Sequence, residues 1–244
     1  MTDIGLSRGT LDPGLFSDNA PAIHDFYQEV VRMPFTERLE HADDYNECIF
    51  GLPEGKLKIQ TFSEPMPAAQ TGYSRMWLAR DHVSEPVDHV DPDGLDVRLV
   101  PPGHEGVTNL GVTYAVADVD AQEKFLVDAL GATPSHGGYR VGNTQLFVEE
   151  GAAIERAPTL RRGFIYITLV VHDALATRER LLEFGAEPSL RMLRLDDRCL
   201  FSWVRDPNGN WIETVQYAHL SGPLPEVDRL ADHWEEVAEW RLKG

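Results

Sequence analysis

The sequence predicts an α+β protein made by repeating one unit of a strand, a helix and several further strands, and three observations predict it. The first is a duplicated turn and strand: "DPDGLDVRLVPP" (91–102) matches "DPNGNWIETVQY" (206–217). The second is a duplicated helix ending, "FYQEVVRMPF" (26–35) against "FLVDALGATP" (125–134). The third is a strand-then-helix opening that occurs three times: around 14–25, at 110–124, and as "FIYITLVVHDALATRERLLEFGAEP" (164–188). Self-similarity of this kind marks a supersecondary unit used repeatedly.

Along the chain, helix 20–32 is followed by strands near 35–40, 46–51 and 56–62. The Pro/Ser-rich "SEPMPAAQTG" (63–72) is a loop. Strand 74–80 then reaches the first DPDG turn with no room for a helix, so this second unit is truncated. The acidic "DHVSEPVDHVDPDGLD" (81–96) lacks the spacing and the twelfth-position Glu of a calcium loop and reads as solvated. "VPPGHEG" (100–106) is the natural boundary between halves. In the second half, strand 110–117 leads to helix 119–130, a hairpin-like pair spans 137–151, and strand 164–171 leads to helix 174–184, which "GAEP" terminates. Strands near 189–195, 198–204 and 210–217 complete it. The expected division is 1–104, 105–222 and a C-terminal helix in 223–244. There Val227, Leu230, Trp234 and Val237 form one apolar stripe, extended by Trp240. That stripe calls for packing on its own chain, with a homodimer contact as the alternative.

Composition narrows the function. The 244 residues are 42% apolar and 25% charged, as in a globular protein. A formal charge of −18 argues against nucleic acid or an anionic membrane surface as partner. Cys48 and Cys199 build neither a disulfide framework nor a CxxC zinc site. No apolar run suits a membrane span and the N-terminus lacks a signal pattern, so a cytoplasmic location is the default expectation.

In "RDPNGNWIET" (205–214), Pro207 presets the turn and Asn208 and Gly209 tolerate positive φ. In the strand that follows, Trp211, Glu213 and Val215 share one face. A single carboxylate thus sits between two large apolar side chains.

These motifs resemble the vicinal oxygen chelate superfamily: glyoxalases, bleomycin-resistance-type binders, methylmalonyl-CoA epimerases and extradiol dioxygenases. The resemblance covers about residues 10–217, in four modules, and rests on the DPNGNWIE turn and on "FYQEVVRMP". It implies paired βαβββ modules forming two curled-sheet, glyoxalase-like domains, each enclosing a cup. It also implies a divalent iron, manganese or zinc ion held by Glu213, the acid that follows the turn. The other ligand positions carry Gly111, Phe147 and Tyr166, a poor set for metals that take imidazole and carboxylate. The corresponding positions of the first half are Leu11, Lys58, Arg75 and Arg98, which suggest a scaffold with solvated or ion-paired bases. The expected site is therefore the C-terminal cup. Glu213 and Tyr166 are its catalytic candidates, and Thr113, Thr168, Phe201, Trp203, Trp211 and Arg194 its ligand-binding candidates. Two readings follow for a small-molecule partner. One is a lyase- or isomerase-like enzyme working by acid/base chemistry on an enolisable or aromatic oxygenated compound, without the usual metal. The other is a non-catalytic binder whose aromatic walls stack on a flat ligand. A metal-dependent dioxygenase with unusual ligands is a further alternative.

Overall fold

A computed structural model describes residues 4–42, 45–154 and 158–243. The expected α+β architecture is present as two curled sheets with few helices. In chain order the elements are β1 (Asp12–Ser17), α1 (Ala20–Asp25), β2 (Phe35–Ala42), β3 (Tyr45–Leu52), β4 (Gly55–Phe62), β5 (Tyr73–Ala79), β6 (Val87–Val90), β7 (Asp96–Val100) and β8 (Leu110–Val116). There follow α2 (Val119–Asp128), β9 (Thr133–Ser135), β10 (Gly138–Val141), β11 (Thr144–Glu150), β12 (Gly163–Val170), α3 (Ala174–Glu183), β13 (Glu187–Leu195), β14 (Cys199–Arg205), β15 (Trp211–Tyr217), α4 (Ala218–Ser221) and α5 (Trp234–Lys243). None of the described helices is long and apolar enough to cross a membrane.

The local reasons are those the sequence supplies. Asp118 and Asp173 cap α2 and α3, each accepting a hydrogen bond from the backbone N–H three residues on. The two DPxG turns are built alike. Asp91 Oδ1 accepts from the N–H groups of Asp93 and Leu95, and Asp206 Oδ1 from those of Asn208 and Asn210. Gly94 and Gly209 take the positive φ, +93° and +92°, that each turn needs. Both aspartates are buried, so the repeated acid serves the turn and leaves the following strand free to aim its own side chains.

Three expectations change. Helix 20–32 is α1 continued by a π-helical turn, Phe26–Val30, before Pro34. The acidic stretch read as a loop includes β6, an exposed strand on the edge of its sheet. The tail is α-helical only from Trp234, after a single 3-10 turn at Leu230–Asp232. Residues before it run extended beside β13, where the Arg194 N–H donates to the Asp228 carbonyl. Leu224 and Val227 pack on the main core, while Leu230, Val237 and Trp240 join a second, smaller cluster. Tertiary pairing outcompetes the helix, and the apolar stripe is divided between two surfaces.

Sheet order decides where a site can form. The eight-stranded sheet runs β13-β14-β15-β12-β1-β4-β3-β2 and the seven-stranded one β6-β7-β5-β8-β11-β10-β9. Neither is confined to one side of residue 104. The first module pairs with the fourth through antiparallel β1 and β12, and the second with the third through antiparallel β5 and β8. A cup closed by β12–β15 is therefore also walled by β1–β4.

Candidate functional site

The concave face of the eight-stranded sheet holds a cavity of about 370 Å3, covered by the tail. Alternation along the strands sets its lining: Tyr45, Glu47 and Ile49 from β3, Lys56, Lys58 and Gln60 from β4, Cys199, Phe201 and Trp203 from β14, and Glu213, Val215 and Tyr217 from β15. The expectation placed the site within 105–222 with the first half as scaffold; this cavity is instead lined from both halves. Tyr45, Glu47, Lys56, Lys58 and Gln60 of its polar lining come from β3 and β4.

Glu213 lies opposite Thr168 in the parallel β12–β15 pair. Its Oε2 accepts from Thr168 Oγ1 at 2.7 Å and from the Lys58 ammonium at 2.6 Å, and Lys58 also donates to Thr168 Oγ1 at 2.6 Å. The Lys58 and Glu213 side chains are 8% and 12% exposed. The Lys58 ammonium also lies 4.8 Å from the centre of the Tyr166 ring, a cation–π contact. Gly14 makes this possible: it sits between Lys58 and Tyr166 in the strand register, and a Cβ there would fall 2.1 Å from the phenol ring. Burial pulls the Lys58 pKa down more than any one neighbour raises it, but Glu213 together with Tyr166, Tyr217 and Glu47 outweighs it and the net direction is upward. Lys58 is a buried cation held by a buried acid.

From this pair a polar chain crosses the floor. Tyr166 Oη accepts from Gln60 Nε2 at 2.9 Å, and Gln60 Oε1 accepts from Tyr45 Oη at 3.0 Å. The Arg241 guanidinium, from α5, lies 5.0 Å from the Tyr45 ring centre. Burial drives the Tyr166 phenol well above its ordinary pKa, a rise that Lys58 only partly opposes. The opposite wall is aromatic. Trp203 packs on Tyr166 at 4.4 Å and on Trp240 at 5.1 Å, ring centre to ring centre.

The structure thus gathers Glu213, Tyr166, Thr168, Phe201 and Trp203. Trp211 backs Trp203 and Trp240 from behind. Thr113 is not in this site: it is on β8, in the other sheet, where its hydroxyl accepts from Trp77 Nε1. Arg194 is also outside, ion-paired with Asp197 and Glu226 on the surface. Gly111 and Phe147 likewise belong to the other sheet, against Trp77. Arg75 and Arg98 form ion pairs there with Asp96 and Asp88. Lys58 was expected at a cup position as a solvated or ion-paired base; it is ion-paired, and buried. Sequence reasoning did not single out Tyr45, Gln60 or Arg241. The available signal was "GKLKIQTF" (55–62), where Lys56, Lys58 and Gln60 alternate with apolar residues as strand neighbours on one face.

The pattern of the Glyoxalase/Bleomycin resistance protein/Dioxygenase superfamily matches residues 11–214, and the chain belongs to that superfamily. Among solved structures it is similar to glyoxalase I from Zea mays, with 13% identity, 85% of this chain and 92% of that one covered, and a TM-score of 0.63. It is equally similar to a candidate dioxygenase from Bacillus subtilis, with 12% identity, 98% and 96% coverage, and a TM-score of 0.63. The cppA protein from Streptococcus pneumoniae follows, with 10% identity, 87% and 99% coverage, and a TM-score of 0.52. No curated protein sequence matches. At these identities the solved structures establish the fold alone.

The superfamily's metal does not suit this donor set. The acid that would ligate it is engaged by an ammonium, and its other close neighbours are a hydroxyl and a phenol that holds its proton. Among the described residues no three His, Cys, Asp or Glu side chains come together as a metal site. A divalent cation would have to displace Lys58 and face its like charge at short range. We expect protein reloaded with iron, manganese or zinc and then desalted to retain well under one metal per chain by elemental analysis. One tightly held metal per chain, lost in Glu213→Gln, would restore the dioxygenase reading.

Proposed function

We propose that this chain is a small-molecule enzyme in which the Lys58–Glu213 pair replaces a metal in proton-transfer chemistry on an enolisable or aromatic oxygenated compound. The observation that carries the reading is the pair itself. Burying two charges costs several kcal/mol per ion before their attraction is counted, and a pocket that only stacks on a flat ligand has no use for it. Both groups also retain capacity. Two of the three ammonium donors of Lys58 are used within the protein, and Glu213 Oε1 accepts no hydrogen bond among the described residues.

The chemistry follows from those open valences. A carbonyl oxygen accepting the third Lys58 N–H is stabilised as negative charge develops on it. Glu213 Oε1 takes a proton from the adjacent carbon, the C–H electron pair becomes the C=C bond of the enolate, and the carbonyl π electrons move to oxygen. Where a C=C lies next to the enolate, its electrons shift and the proton returns to the far (γ) carbon, completing an isomerisation. Where a β substituent is present, it leaves with its bonding electron pair as the C=O re-forms, completing an elimination. A positioned base of this kind contributes about 10²–10⁴ in rate. The Trp203–Trp240 wall supports the second reading, a stacking binder, since it needs no base.

The two readings separate with 2-tetralone, a flat enolisable ketone. By NMR in deuterium oxide, the enzyme is expected to accelerate exchange of its α protons. Glu213→Gln should lower that rate by about 10²-fold or more while ketone affinity changes by a small factor. Saturable binding with no acceleration by either protein would overturn the enzyme reading in favour of the binder.

A further inference from the structure

We propose that Arg241 determines specificity in this cavity by selecting flat, mostly apolar ligands that carry a carboxylate at the end remote from Lys58. The inference rests on the cavity being the ligand site, and it holds whether the ligand is turned over or only bound.

Four basic residues line the cavity, and three are already matched to acids. Lys58 is held by Glu213, Lys56 meets Glu37 at 3.4 Å, and Arg198 meets Asp196 at 3.2 Å. Arg241 is different. Its guanidinium lies against the Tyr45 ring, and among the described residues it has no carboxylate partner. In a chain with 40 acidic residues against 22 lysines and arginines, a cavity-facing arginine left to a phenol ring is an exception. Glu47, the nearby acid on the same wall, already has a partner of its own.

The residue is also well held. Its backbone carbonyl accepts from the Leu160 N–H at 3.4 Å and from Thr159 Oγ1 at 3.3 Å, which ties the last turn of α5 to the segment before β12. Val237, four residues earlier, is buried in the aromatic cluster. A guanidinium offers a planar fork of donors that a carboxylate meets with two parallel hydrogen bonds. The Tyr45–Gln60–Tyr166 chain separates this fork from the Lys58–Glu213 pair. A ligand spanning the two would lay an apolar, planar body along Trp203 and Trp240 between a carboxylate at one end and a reacting oxygen at the other. The cavity volume of about 370 Å3 is in the range that holds a small organic molecule.

The test compares 2-naphthoate with 2-naphthamide, which share a body and differ in charge, by calorimetry on the full chain. The wild type is expected to prefer the carboxylate by about tenfold or more, the scale of a charge-assisted hydrogen bond. Arg241→Gln should abolish that preference without weakening amide binding, and Arg241→Lys should keep part of it. Equal affinity for the two probes, a preference that survives Arg241→Gln, or no binding of naphthoate at all would overturn the proposal. Exchange on 2-tetralone reads the other question separately. If exchange is absent but the charge preference follows Arg241, the enzyme reading fails and this one stands. If exchange is present without the preference, the reverse holds.

Discussion

Lys58→Met is expected to destabilise the protein by about 3–5 kcal/mol, the scale for removing one partner of a buried ion pair. The loss is read as a lower urea midpoint at unchanged slope. The cause is the charge left behind: Glu213 would remain buried with Thr168 as its hydrogen-bond donor and no counter-ion. Neutralising both partners, as Lys58→Met with Glu213→Gln, should recover most of the loss, since the amide can still bond Thr168 and no bare charge is buried. The pair raises the Lys58 pKa above its ordinary 10.5. On the lysine side the contribution is therefore whole below about pH 10 and wanes as the pH climbs through the raised value. A single variant as stable as the wild type would mean that water reaches the pair freely. Lys58→Met and Glu213→Gln alone should each also slow exchange on 2-tetralone by about 10²-fold or more.

A chain ending at residue 222 is expected to lose about 3–5 kcal/mol, on the basis of the apolar area that α5 buries. Val237 is buried, and Trp240 packs on Trp203 and Trp211 and donates its indole N–H to Ser189 Oγ at 2.7 Å. Removing them wets Trp203 in the cavity wall and Trp211 behind it, so their fluorescence should shift to the red and ligand affinity should fall. Trp234, 51% exposed, should contribute little to either change. Association state should be the same with and without the tail. A shortened chain of full stability that changes from dimer to monomer would show instead that α5 serves as an interface.

The fold was legible because its signals are local. The DPxG turns, the capping aspartates and the period-two strands each depend on a few neighbouring residues, and the repeated turns have the same hydrogen bonds. Glu213 was legible for the same reason, being fixed in phase by the turn before it. Lys58 was not, because its meaning depends on β1 joining β12, a pairing between distant segments that no local pattern encodes. Pairing the halves as they lie in sequence made Thr113 a wall of the cup, whereas the observed pairing puts it in the other sheet. Arg194 was misplaced by a different cause. The β13–β14 hairpin carries register shifts, which change the face a residue presents and which no local pattern announces. The tail's helix began later than its apolar spacing suggested, because backbone pairing beside β13 satisfied the same groups.

The union of first and last modules has a consequence for how the chain comes to order during synthesis. Lys58 and Glu213 are 155 residues apart in sequence. While the N-terminal portion alone has emerged, β4, β3 and β2 can assemble on β1, but the other edge of β1 has no partner. An open edge of that kind is a template for pairing with another chain, and contacts of such long sequence separation form slowly. The cavity and the neutralisation of its lysine therefore arrive together, at the end of folding, when β12 closes the edge. Until then the emerging protein carries an exposed strand and an uncompensated cation, and this interval is the one in which aggregation competes with the native fold.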